Sequence, residues 1–328
     1  MTIKKLFFLS AVLVIMFNRC STDVDIYADY KDITVVYGLL DQADDTIWLK
    51  ITKAYLGEGN ALHFAQNPDS SNYPYKLNVV LSGMRNGSEV RHIVFDTITI
   101  HNKKPGDSIF YYPNQLMYYA VPAQPLDKEA IYKLIIEKRD GTIEAEAGLI
   151  GDFAVTQPVY TISFNVDKEL VWKAAQNGKR YEVKFTFHYR ELGQGSNDTL
   201  NKSISWSLGV RKSVNTDGNE VLTIPYSGER FFKLLENNLD KDPNVTRWSG
   251  KVDAVLACGD LVLDTYIEIN NATSGLLTEL PQYTNIKGEK ATGVFAARHT
   301  LVKPFKLAVV SERKLVEDYP ELGFELNH

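Results

Sequence analysis

The chain is predicted to be all-β, built as two tandem β-sandwiches with one or a few short helices. Three observations predict this. Apolar and polar residues alternate with period two through most of the sequence, as they must in strands with one buried face. Turn pairs such as Asn86-Gly87 and Asp140-Gly141 join apolar runs, because these residues tolerate the positive φ of tight hairpin turns. Helical spacing is confined to a few short stretches. With 328 residues the chain is long enough for two cores.

Taken in order, residues 32–40 place Ile33, Val35, Tyr37 and Leu39 on one face of a strand, and residues 47–55 form the next. Residues 76–84 and 89–100 are two strands around Asn86-Gly87, and 131–138 and 142–150 repeat the device. Residues 182–189 alternate Val183, Phe185 and Phe187 with Lys184, Thr186 and His188, which leaves His188 solvated. Residues 203–211 and 220–225 read as a hairpin around Asp217-Gly218. Residues 251–257, 261–269, 293–300 and 305–311 complete the strands. Residues 228–239 form an amphipathic helix capped by Ser227, with Phe231, Leu234, Leu235 and Leu239 on one side. Residues 311–319, 274–280 and 167–176 are shorter helix or turn candidates. Residues 57–75 and 103–126 lack regular pattern and read as long loops. The sandwiches are expected over 31–152 and 153–328, after a leader (1–19) and a flexible tether (20–30).

The leader has a basic start, Lys4 and Lys5, followed by the apolar run 6–17 and then Cys20. Such a run is too short to span a bilayer comfortably as a helix and reads as a secretory signal. A cysteine at its end resembles the lipobox of bacterial lipoproteins, in its looser Bacteroidota form because Arg19 precedes the cysteine. Cys20 is thus the expected lipidation site; ordinary cleavage nearby and an uncleaved anchor are the alternatives. Asp23 and Asp25 resemble the surface-export signal of such lipoproteins. Loss of residues 1–19 removes three basic residues and no acids, taking the formal charge from −5 to −8. Such a chain has no electrostatic footprint for nucleic acid.

Chemistry is sparse. Cys258, the second of two cysteines, lies in the apolar run 252–259 and reads as a buried core residue with no local base. The six histidines lack zinc spacing, and residues 215–220 fail as a calcium loop because Ser213 and Ile224 stand where ligands belong. No metal and no cofactor is expected. No hydrolase or phosphate-loop motif is present. The aromatic loops offer a candidate ligand platform of Tyr73, Tyr75, Tyr111, Tyr112, Tyr118 and Tyr119, since sugar rings stack on aromatic faces. Thr46, Thr97, Ser108 and Thr199 each follow an aspartate and precede an aliphatic residue, a pattern similar to the O-glycosylation site of exported Bacteroidota proteins.

Residues 35–40 (Val-Val-Tyr-Gly-Leu-Leu), the hairpin 126–150, and residues 283–286 (Tyr-Thr-Asn-Ile) followed by Gly293-Val-Phe-Ala-Ala297 resemble phrases of uncharacterised Bacteroidota outer-membrane lipoproteins of unknown function. The resemblance implies Ig-like or transthyretin-like sandwich domains and an outer-membrane location, on the cell surface or the periplasmic face. It also implies a TonB-dependent transporter as a partner; no catalytic residue carries over. The expected function is non-catalytic binding or accessory work in glycan or peptide uptake. A structural adhesion or fimbria-associated subunit is the alternative, and an uncharacterised hydrolase the third.

Overall fold

The computed structural model describes residues 31–56, 71–101, 114–193, 195, 198–272 and 283–326. The fold is all-β and sandwich-like, with three short helices among the described residues. Its strands are β1 Lys31–Leu40, β2 Ile47–Leu56, β3 Asn78–Arg85, β4 Ser88–Val94, β5 Asp96–Ile100, β6 Gln115–Ala120, β7 Ile131–Lys138 and β8 Gly141–Gly148. They continue as β9 Ala154–Gln157, β10 Thr161–Ile162, β11 Lys168–Lys173, β12 Arg180–Gly193, β13 Leu200–Lys212, β14 Val221–Tyr226, β15 Val245–Gly259, β16 Ala291–Leu307 and β17 Phe324–Glu325. The helices are α1 Gly228–Asn238, α2 Leu261–Ala272 and α3 Val309–Glu317.

One ten-stranded sheet runs β13-β12-β15-β16-β1-β2-β6-β5, with β10 beside β16 and β17 beside β15. Its inner side carries two cores. Under β1, β2 and β6 lies the four-stranded sheet β4-β3-β7-β8, and Val36, Leu49, Ile51 and Tyr118 pack on Val79, Leu81, Tyr132, Leu134 and Ala145. Under β12, β15 and the second half of β16 lie the sheet β14-β11-β9 and helices α1 and α3. There Phe185, Phe187, Val252 and Phe305 meet Trp172, Ile224, Phe231 and Leu315.

The seam between the two halves is a parallel pair. β1 aligns with β16 so that Val36 lies opposite Gly293 and Gly38 opposite Phe295. Gly293 has φ of +119°, and a Cβ there would stand 2.0 Å from the Val36 carbonyl oxygen, so the close approach requires glycine. The segment before β16 also serves the first core. Ile286 and Phe295 are buried in it, and the Asn285 amide accepts from Phe295 N (3.0 Å) and donates to Phe295 O (2.7 Å). Lys287 exchanges two main-chain hydrogen bonds with Glu144 on the edge of β8 (2.7 and 2.8 Å). Residues far apart in sequence thus close the first core.

Several expectations change. The buried face of β1 is Thr34, Val36 and Leu40, not the odd-numbered row. β1 is apolar on both faces because it is an interior strand, and periodicity alone does not choose its core side. Residues 89–100 split at Phe95 into β4 and β5, which belong to different sheets. Residues 261–269 are helix α2, not a strand. Asp260 decides this: its Oδ1 accepts from Leu263 N (2.8 Å) at the helix start. Residues 168–173 are strand β11, and 115–120, inside the expected loop, are strand β6. The residues around Asp217-Gly218 join two sheets rather than forming a hairpin, because β13 pairs with β12 and β14 with β11. The expected helix at 274–280 lies outside the described residues.

Candidate functional site: the outer side of the long sheet

The outer side of the ten-stranded sheet is crossed by helix α2, which packs on β16 and β15 and buries Val294 and Ala296. Tyr266 of α2 reaches Tyr37 of β1 edge-on, with ring centroids 6.2 Å apart. Beyond this contact the outer side divides into two parts of different chemistry.

The first part is aromatic. Register places Trp48 of β2 opposite Tyr119 of β6, and Met117 opposite Ile98 of β5. The Trp48 and Tyr119 ring centroids lie 5.7 Å apart with the planes tilted by 32°, an aromatic pair across the two strands. Trp48 is 40% exposed and Tyr37 41%, although most large aromatics among the described residues are buried. Aromatic faces presented this way suit a sugar ring or another flat apolar group.

The second part is polar. Ser203 and Ser205 of β13 lie opposite His188 and Thr186 of β12, and Thr186 lies opposite Asp253 of β15. Rather than being solvated alone, His188 bonds Asp253 Oδ2 through Nε2 (2.9 Å), and Lys251 pairs with the same carboxylate (2.8 Å). Asp253 Oδ1 is buried and makes no hydrogen bond among the described residues. Thr186 and Ser205 share a hydroxyl hydrogen bond of 2.8 Å. Serine, histidine and aspartate thus stand on three adjacent strands, but on an open sheet face, with the histidine held by the carboxylate and the paired serine being Ser205 with Thr186. At the flank, Arg180 and Lys212 close on the buried Asp264 (3.4 and 2.7 Å), tying β12 and β13 to α2.

The expected tyrosine platform is divided by this architecture. Tyr119 faces outward beside Trp48. Tyr118, its neighbour on the strand, faces inward: it is 1% exposed and its hydroxyl accepts from Leu77 N (3.0 Å). It therefore cannot stack a ligand, and strand alternation is the reason. Tyr73 and Tyr75 meet edge-on at 5.8 Å, with Lys53 over the first ring and Arg139 over the second, 4.1 Å from its centroid. The Tyr73 hydroxyl bonds the buried Thr34 (2.6 Å), so this pair belongs to the inner side. Tyr111, Tyr112, Ser108 and Cys20 lie outside the described residues. Thr46 and Thr97 are half-buried, whereas Thr199 is exposed just before β13. Trp48 was not singled out from the sequence. The available signal was an apolar β1 beside a strand whose outward positions include tryptophan.

Cys258 is buried, and burial pushes its thiol up to about 12. Register does bring a base opposite it: His299, whose Nδ1 lies 3.1 Å from Asp41 Oδ1. The buried thiol nonetheless stays protonated. Among the described residues, no group of three or more histidine, cysteine or acidic side chains could hold a metal ion. Among the same residues, no helix is long and apolar enough to cross a membrane, which says nothing of β-barrels.

No family model matches the chain, and no curated protein matches it. Among solved structures, the C-terminal globular domain of an oligosaccharyltransferase from Pyrococcus abyssi is similar at 11% identity and a TM-score of 0.20. The match covers 84% of this chain and 49% of that one, about half its length, and carries no argument about fold or activity.

Proposed function

We propose that the chain is a non-catalytic, lipid-anchored protein of the outer membrane that works by binding, taking a glycan or peptide for a partner TonB-dependent transporter. The observation that carries the reading is the outward Trp48–Tyr119 pair, two adjacent aromatic rings on a rigid sheet. Support for the anchor comes from the sequence: a basic start, a short apolar run and Cys20 ahead of the sandwich body. The resemblance to Bacteroidota lipoproteins favours the same location and partner, and the exposed Thr199 is the O-glycosylation acceptor we expect.

Two experiments test the two parts separately. Metabolic labelling with an alkyne fatty acid is expected to mark the wild type and leave Cys20→Ser blank; equal signals contradict the anchor. A glycan array probed with the same protein is expected to show selective binding to ring-stacking saccharides. An array with no selective signal, together with no transporter recovered on co-purification, contradicts the binding role.

A further inference from the structure

We infer that β13 is a docking strand and that its occupant is the segment 22–30 of a second copy of this chain. β13 ends the ten-stranded sheet, so one of its edges faces no strand among the described residues. An exposed edge is a row of unpaired N–H and C=O groups, and proteins ordinarily blunt such rows. The other strands that end a sheet among the described residues are blunted, and β2, paired with β6 only over Ile47–Leu49, carries Lys50 and Lys53 along the rest of its length. β5 and β9 are only five and four residues long. β14 contains Pro225, and β4 carries Glu89 and Arg91 beside a register shift. β8 is covered by the exchange between Glu144 and Lys287. β13 has no proline and runs unbroken from Leu200 to Ser207, where the register with β12 first shifts.

The chemistry of this edge is specific. Its inner row includes Ile204 and Trp206, and its outer row Ser203, Ser205 and Ser207. β13 holds no acid, and its own basic residues are engaged: Lys202 with Glu191, Lys212 with Asp264 and Glu268, and Arg211 with the Thr223 carbonyl. The exposed Lys184 stands on the outer side of β12 opposite Ser207. A complementary strand therefore sets apolar residues beside Ile204 and Trp206 and acidic ones beside the serine hydroxyls and Lys184. Residues 22–30 read Thr-Asp-Val-Asp-Ile-Tyr-Ala-Asp-Tyr: Val24, Ile26 and Ala28 alternate with Asp23, Asp25, Tyr27 and Asp29, and no base interrupts them. Laid along β13, the apolar row continues the side of Ile204 and Trp206, and the aspartates meet the serine hydroxyls. Main-chain bonds then supply affinity and the alternating side chains supply specificity.

The donor is a second molecule for geometric reasons. β13 lies four places from β1 in the sheet, about 19 Å at the usual strand spacing. Crossing that distance consumes roughly six of the nine residues before Lys31, too many to leave a paired strand. Pairing of β13 with itself sets serine rows against each other and brings no acid to the exposed Lys184.

The test uses a fluorescent synthetic peptide of residues 22–30 titrated into the full chain in detergent micelles and followed by anisotropy. Saturable binding is expected, weakened by added salt and by at least about tenfold when the peptide carries Ile26→Pro. A peptide bearing Asp25→Cys is expected to form a disulfide with the Ser205→Cys chain. Absence of binding up to about 1 mM peptide, or equal binding of the proline peptide, overturns the inference. Ile26→Pro sits in the peptide, so folding of the chain is not at issue in that comparison, and thermal unfolding of the Ser205→Cys chain controls the other. Lipidation at Cys20 plays no part in the readout, so this result and the fatty-acid labelling succeed or fail independently.

Discussion

The long sheet gives its inner side to two cores and its outer side to helix α2 with a separate surface on either side of it, yet those two surfaces are furnished in opposite ways. The half built from β1, β2, β6 and β5 presents Tyr37, Trp48, Tyr119 and Ile98. The half built from β13, β12 and β15 presents Ser203, Ser205, Thr186, His188 and Asp253. Both halves bury their inner residues equally well. Folding therefore does not demand aromatic residues outside: hydroxyls and ion pairs serve the same position in the second half. This contrast in exposed aromatic surface supports the binding role proposed above.

The comparison depends on the halves being one sheet, so the strongest way to break it is at the seam. Gly293→Ala forces a side chain against the Val36 carbonyl at a positive φ. It is expected to cost at least about 3 kcal/mol, read by urea unfolding. A change under about 1 kcal/mol means that the parallel pairing of β1 with β16 is not as described. Phe295→Ala, which empties a fully buried position of the first core from the far end of the chain, is expected to cost about 3–5 kcal/mol.

A smaller effect concerns α2, which separates the halves. Burial pushes the Asp260 carboxyl up to about 6 from 3.8, against hydrogen bonds from the Leu263, Ala297 and Val262 N–H groups. Because the folded value lies above the unfolded one, the native state holds an extra proton between them. Stability is then highest below about pH 4, falls as pH rises to about 6, and is flat beyond, by up to about 3 kcal/mol in total. Unfolding measured across this range is expected to lose that slope in Asp260→Asn; an unchanged slope assigns it elsewhere. Asp41 acts in a separate window and with the opposite sign. Burial raises its carboxyl, but the His299 hydrogen bond, the Ala43 N–H and Arg298 together hold it below 3.8, so its contribution is lost only in stronger acid.

Much of this fold was legible in the sequence, and the exceptions share a cause. The Asn86-Gly87 turn has φ of 52° and 79°, as the dipeptide implied, and α1 falls where its apolar spacing placed it. Burial of Cys258 followed from its apolar run. Helix α2 was missed because 261–269 fits both periods, and only the carboxylate before it settles the matter. The seam was missed because parallel pairing between residues 34–40 and 291–297 leaves no local trace. The tyrosine platform was half legible: composition pointed to aromatics, but register alone separates outward Tyr119 from buried Tyr118 and joins it to Trp48.

The smallest expected effects sharpen the comparison from the polar side. Ser205→Ala and Thr186→Ala remove one exposed hydroxyl pair and are expected to change stability by no more than about 0.5 kcal/mol. Thermal unfolding checks this; a larger loss means the polar half is structural after all.

The most direct test of the account sets the two halves against each other in one titration. The ligand identified on the array is titrated into a Trp48→Ala/Tyr119→Ala variant and into a His188→Ala/Ser203→Ala variant, with thermal unfolding of both as a folding control. The account predicts affinity reduced by at least about tenfold in the first and unchanged in the second. Equal affinities in the two variants, or loss confined to the second, would contradict it.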